Sequence, residues 1–299
     1  MNGYIQVIVP QKEQSVITAI GEPLVNGYTT ILQCSIEGNA FKEITKSIVA
    51  LTPEVRLHIS NEGFVVRAVD SATVCMIGME YRKNSFPSFG VIGDHAIGLD
   101  VNIWSKFLKN VKKGSVVFFE VVQHELPLRD LNEKEKMRHT DERITEYDYT
   151  FKLSSGGTTQ SGKCLDVNTI RRDPNPPAVS LTTKINLYAG EFIDTIKSAH
   201  GVSDKIVFLY KELPTDVTFK AIAEGATSKS VKKISTVSIS GNRARSLFSV
   251  EYLLSIAKGI QNRKEIITID MDNDRPIKIS LSDKNRDIVY LLAPRIEED

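Results

Sequence analysis

Residues 101–121 read VNIWSKFLKNVKKGSVVFFEV, a helix-like run followed by a strand-like run, and a later part of the chain repeats them. Residues 250–271, VEYLLSIAKGIQNRKEIITIDM, keep the same order of apolar and polar positions at an offset of 149. A shorter pair, FKEITKS from Phe41 and FIDTIKS from Phe192, repeats at an offset of 151. Two matches at nearly the same offset, half the chain, predict a duplication into two domains of one fold.

The periodicity of each half predicts an α+β fold. Apolar residues at helical spacing predict helices over 39–51, 100–113, 189–200 and 249–262. In the second of these, Trp104, Phe107, Leu108 and Val111 fall at i, i+3, i+4 and i+7 and form one apolar face. Runs rich in β-branched residues predict strands, among them VRLHIS, GFVVRAVD, TVCMIGMEY, SVVFFEVV, KIVFLY, EIITIDM, PIKISL and DIVYLL.

Composition shifts predict the domain boundaries. Residues 154–182 are rich in Gly, Ser and Pro, so they predict a connector between a first domain at 32–153 and a second at 183–299. Residues 1–31 have no counterpart in the second half and are interpreted as an N-terminal extension. Residues 124–146 carry dense mixed charge and predict a solvated loop.

Composition narrows the class of protein. The chain has 299 residues, 41% hydrophobic and 25% charged, with a net charge of +1, which is typical of a soluble globular protein. No apolar run has the length of a membrane span and no basic segment opens a signal peptide, so we expect an intracellular protein without a membrane partner. Three scattered cysteines and five histidines without ligand spacing predict neither a disulfide framework nor a metal site, and we expect no cofactor.

No set of catalytic residues is recognisable, and no enzyme is predicted. One motif could nevertheless indicate a nucleotide-binding enzyme, because residues 157–163 read GTTQSGK and match part of a phosphate-binding P-loop. Cys164 stands where the Ser or Thr would bind magnesium, and Pro174, Pro176 and Pro177 would soon break the required helix. A P-loop nucleotidase is therefore a remote alternative.

Cations recur on all four predicted helices. Such positions suit contact with phosphates without reading a base sequence, because no aromatic residues stand among them to stack on bases. The ordinary alternative is a solvated helix face. The candidate DNA-binding cations are Lys42, Lys46, Lys106, Lys109, Lys112, Lys113, Lys197, Lys258 and Arg263.

The end of the chain, YLLAPRIEED at 290–299, resembles the C-terminus of the proliferating cell nuclear antigen family, the sliding DNA clamps of archaea and eukaryotes. The segments NEGFVVRAVDSATVCMIGMEY and DNDRPIKISL are similar to family segments as well, and the resemblance runs from about Leu32 to Asp299. It implies two tandem clamp domains, a trimeric ring with helices lining the hole and sheets outside, and a role in polymerase processivity during replication and repair. The implied location is the cytoplasm, with the nucleoid, in an archaeon, or the nucleus in a eukaryote.

The resemblance also implies partners and their sites. It implies sequence-independent double-stranded DNA, a clamp loader, DNA polymerase and other proteins that dock a short peptide with hydrophobic anchors. The peptide pocket is expected at Val69, Thr73, Val74, Met76, Pro177, Leu181, Pro276, Leu291, Leu292, Ala293, Pro294, Arg295 and Ile296. Subunit interfaces are expected at two edge strands, 147–153 and 216–222, through Tyr149, Phe151, Val217 and Phe219.

The chain departs from the family pattern in four respects. It is near neutral where the family is usually acidic, residues 1–31 are extra, its connector carries Arg171 and Arg172, and the loop at 124–146 is long and charged. Whether the chain assembles with itself or with sister clamp chains in a hetero-trimer stays open, because both need two exposed strand edges.

Overall fold

The computed structural model describes residues 28–125, 147–213 and 216–296. Most of the predicted extension and most of the predicted loop at 124–146 lie outside these residues.

The first half of the described chain contains nine strands and two α-helices. The strands are β1 Tyr28–Glu37, β2 Glu54–Ser60, β3 Gly63–Val69, β4 Cys75–Arg82, β5 Ser88–Val91, β6 His95–Asp100, β7 Val116–Glu125, β8 Tyr147–Ser155 and β9 Thr158–Lys163. The helices are α1 Gly38–Val49 and α2 Val101–Leu108.

The second half has the same number of strands and helices among its described residues. The strands are β10 Thr183–Tyr188, β11 Lys205–Leu213, β12 Asp216–Glu224, β13 Lys229–Lys233, β14 Ser238–Ser240, β15 Ala244–Ser249, β16 Ile266–Met271, β17 Ile277–Ser282 and β18 Arg286–Leu292. The helices are α3 Ala189–His200 and α4 Val250–Gly259.

Strand order repeats between the two halves, as a duplication requires. The first half has a sheet ordered β5-β1-β7-β8-β9, and the same order returns as β14-β10-β16-β17-β18. The order β4-β3-β2-β6 returns as β13-β12-β11-β15. This topology confirms the α+β class with two tandem domains that the sequence predicts.

One antiparallel strand pair fuses the two halves into a nine-stranded sheet. β18 of the second half pairs with β4 of the first, from Arg286 opposite Tyr81 to Leu292 opposite Cys75. The inward side chains at this joint are buried and, apart from Arg286, mostly apolar, among them Ile77 and Tyr290. The joint is therefore part of one continuous core.

The helices form a single layer on the inner side of the sheets. α1 packs against α2 and α4, and α4 also packs against α3, so the order across the layer is α2-α1-α4-α3. Gly259 permits the close approach of α1 and α4, because a Cβ there would lie 2.7 Å from the Tyr290 hydroxyl and 3.1 Å from the Cα of Ser47.

Several predicted boundaries are wrong: residues 28–31, predicted as extension, open β1, and the helix predicted over 249–262 ends at Gly259. The helix predicted over 100–113 ends at Leu108, because Val111 turns inward to pack beside Gly38 while its carbonyl accepts a hydrogen bond from the Lys42 ammonium at 2.7 Å. Residues 154–163, predicted as connector, form the end of β8 and the strand β9. The irregular connector therefore begins at Cys164.

Candidate functional site

The helix layer carries exposed cations on all four helices or directly after them. Within the described residues, six of the nine predicted DNA-binding cations are exposed and their ammonium groups form no hydrogen bond or ion pair. These six are Lys106, Lys109, Lys112, Lys113, Lys197 and Lys258. Lys109, Lys112 and Lys113 lie in the turn that follows α2 rather than on the helix itself.

The other three predicted cations have partners. Lys42 is half-buried and binds the Val111 carbonyl, and Lys46 donates to Gln261 Oε1 at 2.9 Å. Arg263 forms an exposed ion pair with Asp194 at 2.6 Å.

Most carboxylates of this layer are already neutralised by neighbouring groups. Glu43 is buried against Arg286, Asp194 pairs with Arg263, and Glu191 lies 3.7 Å from the Lys232 ammonium. The Arg263 hydrogen bond keeps the pKa of Asp194 below its usual value. The face consequently presents a surplus of unpaired positive charge, which suits a polyanion.

On the opposite side of the central sheet, three apolar side chains form a row across β3, β4 and β18. The strand registers place Val69 opposite Met76 and Met76 opposite Leu291. All three are half-buried, and they alternate with neighbours that point into the core. We call Val69, Met76 and Leu291 the apolar row.

The C-terminal tail leaves the sheet at one end of this row. β18 stops at Leu292, before Pro294, and the Ala293 N–H donates to the Val74 carbonyl at 2.9 Å. The Arg295 N–H donates to the Leu247 carbonyl at 2.8 Å, and its guanidinium pairs with Asp204. Ile296 beyond it is 89% exposed. The tail is thus fixed up to Arg295 and offers a free apolar side chain next to it.

The expected pocket position at Leu292 is wrong. Its side chain is 1% exposed, because period-two alternation turns Leu291 outward and Leu292 into the core. A Leu292→Asp change would therefore disrupt folding rather than test a pocket. Pro276 directly precedes β17, opposite the end of β18, while Pro177 is exposed and Leu181 half-buried in the connector.

Asp70 organises the loop between β3 and β4 that borders the row. Its carboxylate accepts hydrogen bonds from the N–H groups of Ala72, Val74 and Cys75, and from the Tyr252 hydroxyl at 2.6 Å. Burial by itself would raise the pKa of Asp70, but these donors hold it below 3.8. Thr73 adopts a left-handed backbone, φ 62°, inside this loop. These contacts give Asp70 a structural role in the turn.

The expected subunit-interface strands are not sheet edges. β8 lies between β7 and β9, and β12 lies between β11 and β13. Phe151 and Phe219 are 3% and 1% exposed, and Tyr149 packs on His95. Val217 lies opposite Glu212 of β11, outside the stretch Lys220–Glu224 of β12 that pairs with β13. The interface prediction is therefore wrong at Tyr149, Phe151 and Phe219, because the residues of β9 and β13 form no recognisable apolar pattern, and it stays a prediction at Val217.

The P-loop alternative is overturned by local structure. Residues 157–163 form the turn and second strand of the β8–β9 hairpin, with Gly156 and Gly157 at φ 56° and 80°. The segment opens no helix, so it lacks the helix N-terminus that would bind phosphate. Within the described ranges, no group of three or more His, Cys, Asp or Glu side chains could hold a metal, and no helix is long and apolar enough to cross a membrane.

Fold and site together define a two-domain chain with one cationic helix layer and one outer apolar row. Residues 33–155 match the family model for the proliferating cell nuclear antigen N-terminal domain. A DNA polymerase sliding clamp of Methanoregula boonei is 32% identical over 274 residues, covering 90% of this chain and 100% of the relative.

Solved structures of proliferating cell nuclear antigens also match this chain. The Archaeoglobus fulgidus proliferating cell nuclear antigen bound to the C-terminal region of FEN-1 matches at a TM-score of 0.74 and 27% identity, covering 90% of this chain and all of the other. A chain of the PCNA2–PCNA3 complex from Sulfolobus tokodaii shares the fold at a TM-score of 0.69 and 16% identity, over 89% of this chain and all of the other. The chain belongs to the proliferating cell nuclear antigen family of DNA polymerase sliding clamps.

Proposed function

We propose that this chain is a processivity clamp: three copies close into a ring around duplex DNA and tether polymerases and other DNA enzymes to it. The clamp acts by binding rather than by catalysis, in the compartment that holds the chromosome. Its domains are residues 28–163 and 183–296, with residues 164–182 as the connector. The observation that carries this proposal is the joint between β4 and β18, because the sheet-edge strands β9 and β13 could repeat it between chains.

The repeated strand order identifies those strands. Residues that face each other on neighbouring strands form an equivalent row in each half. In the first half this row is Cys34, Phe119, Leu153 and Gln160. In the second half it is Ile185, Ile269, Ile279 and Tyr290. β9 is therefore the counterpart of β18. A second row in the first half is Ile97, Leu57, Val66 and Met79. Its equivalent in the second half is Ser246, Phe208, Ala221 and Lys232. Since Met79 lies on β4 and Lys232 on β13, β13 is the counterpart of β4.

A joint between β9 of one chain and the partner's β13 would copy the joint inside the chain. Tyr290 faces Ile77 in the internal joint, so Gln160 would face Ser230 between chains. Val231 on β13 is 55% exposed in the single chain and would be covered by this pairing. Such head-to-tail contacts generate a ring when the rotation closes, and the family resemblance implies three chains.

The helix layer would then line the hole and face DNA. Its unpaired lysines, on the helices and in the turn after α2, would contact phosphates loosely, which permits sliding without a preferred sequence. The apolar row and the free end of the tail would lie on the outside. There they fit a short partner peptide that supplies hydrophobic anchors, together with the exposed Thr73 and the half-buried Val74 beside them.

The first test is the solution mass of the purified chain, measured by light scattering across a dilution series. We expect a mass near three times 33.3 kDa. The trimer should then remain on a nicked circular plasmid after loading and dissociate when the plasmid is linearised, because a ring slides off free ends.

A monomer at every concentration would contradict self-assembly, and mass measurement with a co-purified sister clamp chain would then test the hetero-trimer. Equal retention on circular and linear DNA would contradict encirclement.

A further inference from the structure

A cavity of about 350 Å³ lies on the outer face, between β2, β3 and the connector. Four arginines line it: Arg56, Arg67, Arg171 and Arg172. Glu54 is the one carboxylate in the described lining. The lining therefore carries a surplus of positive charge, in a chain whose net charge is only +1.

The arginines reach this cavity because the connector is pinned across the sheet. Leu165 bonds to Gly98 at 2.9 Å, and His58 on β2 contacts Asp173 at 2.5 Å. Arg56 donates to the Ile170 carbonyl at 2.7 Å, and Arg171 donates to the Asp70 carbonyl at 2.9 Å. These bonds hold the guanidinium groups of Arg56, on the β2 side, and Arg171, on the connector side, at the same opening of the cavity.

The charge of these guanidinium groups is not neutralised by the chain itself. Within the described residues, none of the four forms an ion pair with a carboxylate, whereas Arg82, Arg263, Arg286 and Arg295 all do. The buried Nε of Arg56 has no hydrogen-bond partner in the structure. A buried donor without an acceptor is costly, so negative charge at the opening would stabilise the Arg56 guanidinium.

The cavity continues the apolar row. Val69 is both the last member of that row and part of the cavity lining. A peptide that crosses β18, β4 and β3 in this order reaches β2 next, which carries Arg56 on its outward face.

We propose that the arginine-lined cavity binds acidic side chains that flank the anchor segment of a partner's clamp-binding peptide. Carboxylates match the forked donors of guanidinium groups, and several arginines around one opening favour more than one carboxylate. The cavity thereby selects partners with an acidic flank. This inference rests on the proposed docking of peptides at the apolar row.

The test uses fluorescence anisotropy with the full chain and a labelled peptide of the A. fulgidus FEN-1 C-terminal region. The peptide is extended at either end by three Glu residues or by three Gln residues. We expect the Glu extension at one end to tighten binding about tenfold over its Gln match at low salt, and the gain to vanish at high salt.

The Arg67→Ala/Arg172→Ala variant should lose this gain while binding the Gln peptides as before. Both side chains are exposed and form no hydrogen bonds within the described residues, so the fold should be retained. The control is Lys184→Ala/Arg243→Ala, which removes two exposed cations near the far edge of the same sheet and should keep the full gain.

Equal binding of the Glu and Gln peptides would overturn the cavity assignment and leave peptide docking intact. Failure of every peptide to bind would overturn both. Equal weakening of Glu and Gln peptides by the arginine variant would show a structural role and likewise refute the acidic-flank assignment.

Discussion

At the scale of single residues, Asp70 connects three parts of the molecule that are distant in sequence. Its carboxylate holds the β3–β4 loop and the Tyr252 hydroxyl of α4, and its carbonyl accepts from Arg171 of the connector. Through this loop the Val74 carbonyl is positioned to receive the tail at Ala293. One side chain thereby fixes the border of the apolar row.

Tyr252→Phe removes the hydroxyl donor from Asp70 and should lower the free energy of unfolding at pH 7 by about 2 kcal/mol, because hydrogen bonds to charged groups contribute about 1.5–3 kcal/mol. The Asp70 pKa is lowered in the folded chain, so its contribution is present above 3.8 and is lost as pH falls through the folded pKa. The difference between the two proteins should shrink in that acidic range.

Urea unfolding at several pH values measures this difference. Tyr188→Phe is the control, since Tyr188 is 51% exposed and its hydroxyl forms no hydrogen bond within the described residues. Equal stability of both variants at pH 7 would contradict a role for the Tyr252 bond. The same bond raises the pKa of Tyr252 to about 12, so titration of its phenol gives an independent readout.

At the scale of elements, alternation and apolar spacing predicted all four helices and most of the long strands, but not β1, whose first residues fall in the predicted N-terminal extension. Sequence could not predict β9 and β13, because TTQSGK has no apolar residue other than its glycine and KSVKK has only Val231. An edge strand owes its place to backbone pairing with one neighbour, and backbone pairing leaves no apolar pattern in the sequence. The predicted interface strands consequently lie one strand inside the sheet edge in each half.

Because these edge strands are mostly polar, apolar substitutions should strengthen the proposed joint between chains. Gln160→Leu with Ser230→Leu should give the outer joint the apolar contact that Tyr290 and Ile77 make inside the chain. We expect the concentration at which the trimer dissociates to fall more than about tenfold, because each buried Leu contributes about 1.5–3 kcal/mol.

Light scattering on dilution measures that midpoint. Ser240→Leu on the edge strand β14 adds an exposed Leu away from either joint and should leave the midpoint unchanged. An unaltered midpoint in the double variant would refute the proposed register.

At the scale of the whole molecule, the two halves share one core and one ion cluster. Arg286 on β18 binds Glu43 of α1 at 2.7 Å, Glu265 at 2.9 Å and Asp283 at 2.6 Å, and Tyr81 donates to Glu43 at 2.6 Å. Arg286 is 8% exposed and Glu43 7%. The duplication and the family were readable from the sequence, but this cluster was not, because charged residues far apart in sequence give no sign that they meet in a core.

Arg286→Met leaves Glu43 and Glu265 without their cation and should lower the free energy of unfolding by about 3–5 kcal/mol. Arg82→Met is the matched control on the paired strand. Its ion pair with Asp287 is more than a third exposed on the arginine side, and its loss should cost at most about 1 kcal/mol. Denaturant unfolding at neutral pH compares them, and similar losses would argue against a stabilising role for the cluster.

The cationic cavity was missed for a related reason. Arg56 and Arg67 sit at outward positions of ordinary alternating strands, where a solvated side chain is the usual interpretation. Only the path of the connector brings Arg171 and Arg172 beside them, and that path depends on contacts such as His58 with Asp173.

The fusion of β4 with β18 also has a mechanical consequence. Inside each chain the seam is reinforced by a shared core and by Arg286, whereas the proposed seams between chains would join polar strands only. A ring opened by a loading machine would therefore separate at a seam between two chains, and each chain would move as one rigid unit. DNA would thus enter between two chains, and not between the two halves of one chain, because the halves are joined covalently and through a shared core.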